Sequence, residues 1–296
     1  MSQSFIAKAI GVSKSTVSRE IKRNSYANGH YTFHLATLRT RRRKARSPGN
    51  RAISTSVRCR VLSLIREQQW SAEQISGRLK REGVCVSKST IYNWIHQCSP
   101  HYPDNIRKYL RHMGKKYNRA KQVNSCGIAG RIMIDERNEK DYGMSVGDWE
   151  MDTIVGKDGR GVIVTLVDRY SSFMMMRKLG TGKKAQPLAI AVINMFKDSG
   201  LPVRTITTDN GPEFARHELI ANALLTRVYF THPYTSWEKG AIENMNGLIR
   251  QYIPKKADFN DFTNQQIMKI QHKINNRPRK KNNFLTPIEV IKLCFP

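Results

Sequence analysis

Cysteine is sparse and unpaired in this chain: five residues (Cys59, Cys85, Cys98, Cys126 and Cys294) are scattered through 296, with no CxxC pair. An odd, dispersed set excludes a disulfide framework and a zinc ribbon, and it fits a reduced, intracellular compartment. His30 and His34 have the spacing of two metal ligands, but no cysteine pair completes the four that structural zinc needs. No stretch approaches the roughly 20 uninterrupted apolar residues of a membrane-spanning helix. The opening MSQSFIAKAIGVSKS lacks the apolar core and small-residue cleavage site of a secretory signal, so a cytoplasmic protein is expected.

Acidic residues are also scarce. Asp and Glu number 23 against 51 Lys and Arg, a formal net charge of +28. Residues 1–125 carry 26 basic against 5 acidic side chains, whereas residues 126–296 carry 25 against 18. A segment that basic repels itself unless it faces a polyanion, and nucleic acid is the usual one. No amphipathic anchor or lipidation motif points to a membrane surface instead. With 39% hydrophobic residues the chain is long enough for two or three small domains with their own cores.

Within the basic part, Val12-Ser-Lys-Ser-Thr16 recurs as Val86-Ser-Lys-Ser-Thr90. Each copy follows a helical pattern and a glycine and opens a second helical pattern; before the second copy, Ser71 and Gln74 form a Ser-x-x-Gln capping box. Helix, glycine turn and Ser/Thr-opened helix is the helix-turn-helix order, in which the start of the second helix approaches base edges. Lys14, Ser15, Thr16 and Arg19 are the expected DNA contacts of the first copy, with Lys22 and Arg23 further along the helix. Lys88, Ser89 and Asn93 are those of the second. Between the copies, Arg39–Arg46, with Arg41, Arg42 and Arg43, reads as a helix end or linker lying along phosphates. A second basic stretch, with Lys115, Lys116, Arg119 and Lys121, leads to the next domain.

The C-terminal half changes character. Residues 148–155 alternate, Asp148, Glu150 and Asp152 on one face and Trp149, Met151 and Thr153 on the other. β-rich runs at 161–167 and 172–179 follow, then a helix near 183–197, a strand at 203–208, a helix near 213–223, a strand at 227–231 and a helix from Ser236. That succession predicts an α/β, ribonuclease H-like catalytic domain, a mixed five-stranded sheet with helices on both faces, preceded by all-α helix-turn-helix modules. If the Asp152 strand lies beside the strand ending at Asp209, the helix carrying Glu243 closes a three-carboxylate cluster. Such a cluster repels itself unless cations sit in it, and hard oxygen ligands suit Mg²⁺ or Mn²⁺. Two such ions about 4 Å apart would serve phosphodiester cleavage. On the Glu243 helix, Ile242, Met245, Ile249 and Tyr252 form an apolar stripe, and Glu243, Gly247 and Arg250 share another face. Gly247 there would admit a DNA backbone, and Arg250 a phosphate. Glu150 reads as a strand-face carboxylate near the site.

Taken together, Gly147-Asp-Trp-Glu-Met-Asp152-Thr-Ile, Thr208-Asp-Asn-Gly-Pro-Glu-Phe214 and Trp237-Glu-Lys-Gly-Ala-Ile-Glu243-Asn-Met-Asn-Gly carry a resemblance. So do Ser18-Arg-Glu-Ile-Lys-Arg-Asn24, Ile134-Asp-Glu-Arg137, Asn275-Asn-Arg-Pro-Arg-Lys and Thr286-Pro-Ile-Glu. The chain resembles DDE transposases of the insertion-sequence 30 family, within the retroviral-integrase-like superfamily, over nearly its whole length. The resemblance implies catalytic roles for Asp152, Asp209 and Glu243, and a basic helper in Arg250. It also implies recognition of terminal inverted repeats, excision and integration of an insertion element, and a bacterial, nucleoid-associated location. Two DNA ends acted on together imply a homo-oligomer. Family members carry a helix ahead of the first helix-turn-helix, and this chain is expected to lack it, leaving Phe5, Ile6, Val17 and Ile21 short of a packing partner. The expected domains are 1–46 (first helix-turn-helix and linker), 47–100 (second), 101–140 (basic linker) and 141–296 (catalytic core). A repressor without catalysis would need no acidic triad; a nuclease that cleaves without joining would share it.

Overall fold

The computed structural model describes residues 2–46, 53–97, 106–111, 128–159, 161–180, 182–233, 235–255 and 257–295. The linker residues Ser47-Pro48-Gly49 and the basic Lys115, Lys116, Arg119 and Lys121 lie outside them. The chain divides into two compact units, Met1–Arg58 and Cys59–Pro296.

The N-terminal unit holds α1 (Gln3–Ala9), α2 (Lys14–Asn24) and α3 (Phe33–Arg46). Ser13 caps α2, its hydroxyl accepting the Thr16 N–H at 3.2 Å, which satisfies one of the orphan donors of a helix start. The arginine run expected as a helix end or linker forms the last turns of α3, and part of it turns back onto α2. Arg39 donates to the Ser25 carbonyl, and Arg43 to the Asn24 side chain at 2.7 Å and the Arg23 carbonyl at 3.4 Å. Cations at the end of α2 meet its exposed carbonyls and favourable dipole. Arg43 is thereby occupied, while Arg41 and Arg42 are exposed. Ile6, Ile10, Val12, Val17 and Ile21 line an open, mostly apolar groove of about 620 Å³.

The C-terminal unit begins within α4 (Thr55–Ser63) and continues through α5 (Ala72–Arg81) and α6 (Lys88–Gln97). Both bonds of the Ser71–Gln74 capping box are present, at 2.8 and 3.3 Å. The duplicated motif folds the same way twice. After α1 and after α5 a glycine takes a left-handed conformation, Gly11 at φ 69° and Gly83 at φ 80°. The next N–H in each case reaches back five residues, Val12 to Ala7 at 3.0 Å and Val84 to Leu79 at 2.9 Å. This is the Schellman closure that a side chain at the glycine would strain.

The sheet contains β1 (Ile132–Met133), β2 (Asp148–Val155), β3 (Val162–Asp168), β4 (Met174–Leu179), β5 (Thr205–Thr208) and β6 (Arg227–Phe230). Its order is β1-β6-β5-β2-β3-β4. β2, β3 and β4 run antiparallel and β5 joins β2 in parallel, which makes the sheet mixed, as the sequence predicts. The sixth strand, β1, is a two-residue edge pairing with β6, too short to leave a periodic signal. One face packs on α7 (Ala185–Ser199) and α8 (His217–Leu224), where Trp149, Met151, Leu188, Phe196 and Phe230 are buried. Trp149 meets Phe196 edge to face with centroids 5.1 Å apart, and its indole N–H donates to the Pro202 carbonyl at 3.0 Å. The other face packs on α9 (Gly240–Tyr252) and α10 (Asn264–Asn275) through Ile154, Ile163, Ile242, Ile249 and Ile270. Removing such an aromatic or aliphatic side chain from either layer costs about 2–5 kcal/mol.

The last helix, α11 (Pro287–Cys294), is tied to α5. Arg78 holds Glu289 through two parallel bonds of 2.8 and 2.7 Å. The Arg78 guanidinium brings the Glu289 carboxyl down from its ordinary 4.5 to about 2. A depressed carboxyl stabilises the fold above its unfolded pKa and loses that contribution as pH falls through the folded value. Acid unfolding should therefore show a Glu289-dependent loss between about pH 4.5 and 2. Because the pair is partly solvated, it amounts to no more than about 1–2 kcal/mol. In urea titrations, Glu289→Gln should be less stable than wild type at pH 6 and equal to it near pH 2.

Candidate active site

The parallel β2–β5 pairing, with Asp148 beside Thr205 and Glu150 beside Thr207, brings the end of β5 alongside Asp152. Asp209 follows β5 in a tight turn, its carboxylate accepting the Gly211 N–H at 3.0 Å. Asn210 fixes that turn by donating to the Thr231 carbonyl beyond β6 at 2.7 Å, and it accepts from Arg131. Asp152 is oriented from two sides. The Thr153 N–H donates to it at 2.8 Å, and Asn246 of α9 donates at 2.7 Å. Thr165 in turn donates to the Asn246 carbonyl oxygen at 3.2 Å, setting the amide with its nitrogen toward Asp152.

Between the two aspartates sits the ammonium of Lys239, 3.0 Å from Asp209 and 3.8 Å from Asp152. Burial pushes the Asp152 carboxyl up; Lys239 opposes that and Asp209 adds to it. Burial also works against the Lys239 ammonium, but Asp152 and Asp209 outweigh it and hold its pKa above the ordinary value. Neither partner lies deep: 22% of the Asp152 and 43% of the Asp209 side chain is exposed, so an ion from solvent can reach them. The donor set is oxygen only and already gathers around a positive charge. These residues fit a hard divalent cation.

Glu243 lies exposed on the first turn of α9, and no three His, Cys, Asp or Glu side chains gather to hold an ion among the described residues. The structure brings Asp152 and Asp209 together and leaves Glu243 outside their contact. Glu213, on the turn after Asp209, is closer in: it is buried, accepts from Thr153 at 2.8 Å and from Lys183 at 2.6 Å, and keeps one carboxylate oxygen without a partner.

The start of α9 is held by Glu150. This carboxylate is fully buried and accepts the Ile242 N–H at 2.8 Å and an Arg169 guanidinium N–H at 3.1 Å. Burial raises its pKa, and the helix N–H groups, Arg169 and Lys239 oppose the rise. It acts as the negative charge at a helix N-terminus, fixing the first turn from which Glu243 projects. Two other expectations change. The space left by Gly247 is taken by the Arg111 guanidinium, which bonds Asn244 at 2.9 Å, so it is not open to a DNA backbone. Arg250 donates to the carbonyls of Val155 at 3.0 Å and Pro254 at 3.3 Å, which stitches α9 to the end of β2.

Lys239, Asn246 and Glu213 are the residues that sequence reasoning did not single out. Lys239 stands four residues before Glu243 and Asn246 three after, spacings that share one helical face and could have drawn attention to both. The expected DNA contacts on the helix-turn-helix modules are exposed: Lys14, Ser15, Thr16, Arg19, Lys22 and Arg23 on α2, and Lys88, Ser89 and Asn93 on α6. Arg19 also donates to the Ser15 carbonyl at 3.1 Å.

Residues 16–95 match the model of a homeodomain-like domain and residues 144–236 that of an integrase core domain. The chain is 47% identical to the transposase for insertion sequence element IS4351 of Bacteroides fragilis, over 99% of this chain and 90% of that one. It is 34% identical to transposase InsI for insertion sequence element IS30C of Escherichia coli (strain K12), over 99% and 79% of the two chains. The chain belongs to the insertion-sequence 30 family of transposases. A further relative, the transposase for insertion sequence element IS1086 of Cupriavidus metallidurans, is 32% identical over 97% of this transposase and 87% of its own length. The integrase core match spans Asp152 and Asp209 together with the sheet that joins them. No helix among the described residues of the transposase is long and apolar enough to cross a membrane.

Replacing Lys239 by Met leaves Asp152 and Asp209 facing each other without a cation. Denaturant unfolding without divalent ions should show a loss of about 1–3 kcal/mol, the cost of an uncompensated charged group. Millimolar Mg²⁺ or Mn²⁺ should restore more stability to Lys239→Met than it adds to wild type. An equal response in both proteins would mean that the ammonium and the ion do not share a site.

Proposed function

We propose that this transposase cuts and joins DNA at Asp152, Asp209 and Glu243 with Mg²⁺ or Mn²⁺, two ions being used. The observation that supports it is the convergence of Asp152 and Asp209 on one positive charge, Lys239, at the end of a parallel strand pair. When bound, the metal supplies Lewis-acid stabilisation of the attacking and departing oxygens of a phosphodiester. Asp152 and Asp209 would hold it; Asn246 and the Thr153 N–H aim the Asp152 carboxylate, and Asn210 fixes the turn that carries Asp209. Glu243, on the first turn of a helix pinned by Glu150, would complete the set from the helix that also presents Asn246 to Asp152. Lys239, held between the two carboxylates, would be the ammonium nearest a phosphate oxygen brought to the site. Arg250 acts through the seating of α9 on β2.

The helix-turn-helix modules bind the terminal inverted repeats of the element, through Lys14, Ser15, Thr16, Arg19, Lys22, Arg23, Arg41 and Arg42 in residues 1–46 and through Lys88, Ser89 and Asn93 in residues 47–100. Arg43 contributes by holding α3 on α2. Residues 101–140 connect these modules to the catalytic core at 141–296. Double-stranded DNA, as element ends and as target, is the partner; the working form is a homo-oligomer on two ends, associated with the bacterial nucleoid.

The test is strand chemistry on a duplex carrying an element end, with Mg²⁺, comparing wild type with Asp209→Asn. Nicking and joining should both fall by more than the 10–100-fold typical of losing an outer partner of a metal site, while DNA binding is kept. An Asp209→Asn variant that nicks and joins like wild type contradicts the proposal. Wild-type nicking without joining would make the protein a nuclease instead.

A further inference from the structure

Beside α9, a cavity of about 840 Å³ gathers four cationic side chains: Arg81, Arg169, Arg279 and Lys281. Its walls are the end of α5, the Tyr142-Gly143 segment, the turn after β3, the first turns of α9, the segment from Arg279 to Leu285 and one face of α11. No aspartate or glutamate lines it among the described residues. Arg169 pairs with the buried Glu150 at 3.1 Å. The other three have no carboxylate within ion-pair distance among the described residues; they are held by carbonyls. Arg81 donates to Asn283 at 2.9 Å, Arg279 to Ile274 at 3.1 Å, and Lys281 to Arg169. The Nε of Arg279 is buried without a hydrogen-bond partner.

Carbonyls position a cation but do not neutralise it, and crowded, desolvated like charges cost free energy until an anion joins them. Both strained groups show this. Burial, then Arg277 and Arg111, bring Arg279 down to about 10; burial, then Arg169, bring Lys281 down to about 8, with Asp168 opposing. A guanidinium fork with a spare N–H and a neighbouring ammonium matches a phosphate's several oxygens. The cavity lies in the size range of small-molecule pockets and is far larger than a bare phosphate needs, so it has room for a nucleotide. Tyr170, at the rim and 39% exposed, offers a ring face to a base. Ala241 and Asn244, which also line the cavity, flank Glu243 in sequence.

We infer that this cavity is a nucleotide-binding subsite for a DNA strand, with Arg81, Arg279 and Lys281 receiving a backbone phosphate beside the active-site helix. The inference rests on the reading of the protein as a DNA-processing enzyme, and it adds a site to that reading. It also gives a purpose to the basic Arg-Pro-Arg-Lys-Lys segment at 277–281, which the catalytic triad and the helix-turn-helix modules leave unused.

The test uses the full chain with Lys281→Gln and Arg81→Gln, each of which removes one charge and keeps a polar side chain in its place. Binding to an element-end duplex is measured without divalent ions across a range of chloride concentrations, alongside the melting temperature of the free protein. Each variant should bind several-fold more weakly, with the slope of log affinity against log salt reduced by about 0.9. Its melting temperature should stay the same or rise, because a repelling charge is gone. Wild-type affinity and slope in both variants would overturn the subsite while leaving the DNA reading intact; no duplex binding by wild type would overturn that reading. Affinity and melting temperature falling together would make the cations structural and overturn the inference. Inorganic phosphate is the remaining probe. If, at matched ionic strength, it stabilises wild type but not Lys281→Gln while DNA affinity is unchanged, the cavity takes a small anion and the DNA assignment fails.

Discussion

Asp152 and Asp209 are like charges that the sheet forces together, and Lys239 is the positive charge that makes their proximity tolerable. Three separate pieces of chain must agree for this to happen. β2 supplies one carboxylate, the turn after β5 the other, and the residue preceding α9 the ammonium. The same need for a cation that holds these groups together makes the place suited to a metal.

A ring of buried charges around the strands supports that arrangement. Glu150 ties β2 to the start of α9, and Asp168 accepts from Gly147 and Ser171 to close the turn after β3. Asp148 takes Arg204 and Thr205, fixing β2 to β5 at the register that places Asp152 beside Asp209. Buried ionic groups of this kind are costly and add little net stability. Here each one crosses between two elements that bear on the site, adding to the register that the buried apolar faces of the sheet already specify.

Much of this was legible before any coordinates. The alternation over 148–155 gave β2 to the residue, and the β-rich runs gave β3 and β4 within two residues. The duplicated Val-Ser-Lys-Ser-Thr modules gave two helix-turn-helix turns, because a glycine and a Ser/Thr cap are local signals that need no tertiary context. What escaped was non-local. A lysine beside a glutamate in sequence reads as a solvated helix start, and only the β2–β5 pairing turns Lys239 toward two aspartates. Asn246 looks like a neutral helix residue until Asp152 is set opposite it. Gly247 was a fair suggestion of a close approach, but the group approaching is Arg111, whose position in sequence is 136 residues away from it and carries no local hint. β1 was missed for a different reason: two residues are below the length at which alternation can be read.

The account depends on the claim that Lys239 stands where the catalytic cation binds. Anomalous diffraction from crystals soaked in Mn²⁺ tests it most directly. The account predicts an anomalous peak in contact with carboxylate oxygens of Asp152 and Asp209, and a Lys239 ammonium withdrawn from both. A Lys239 still bridging the two aspartates, with manganese bound elsewhere or not at all, would contradict it.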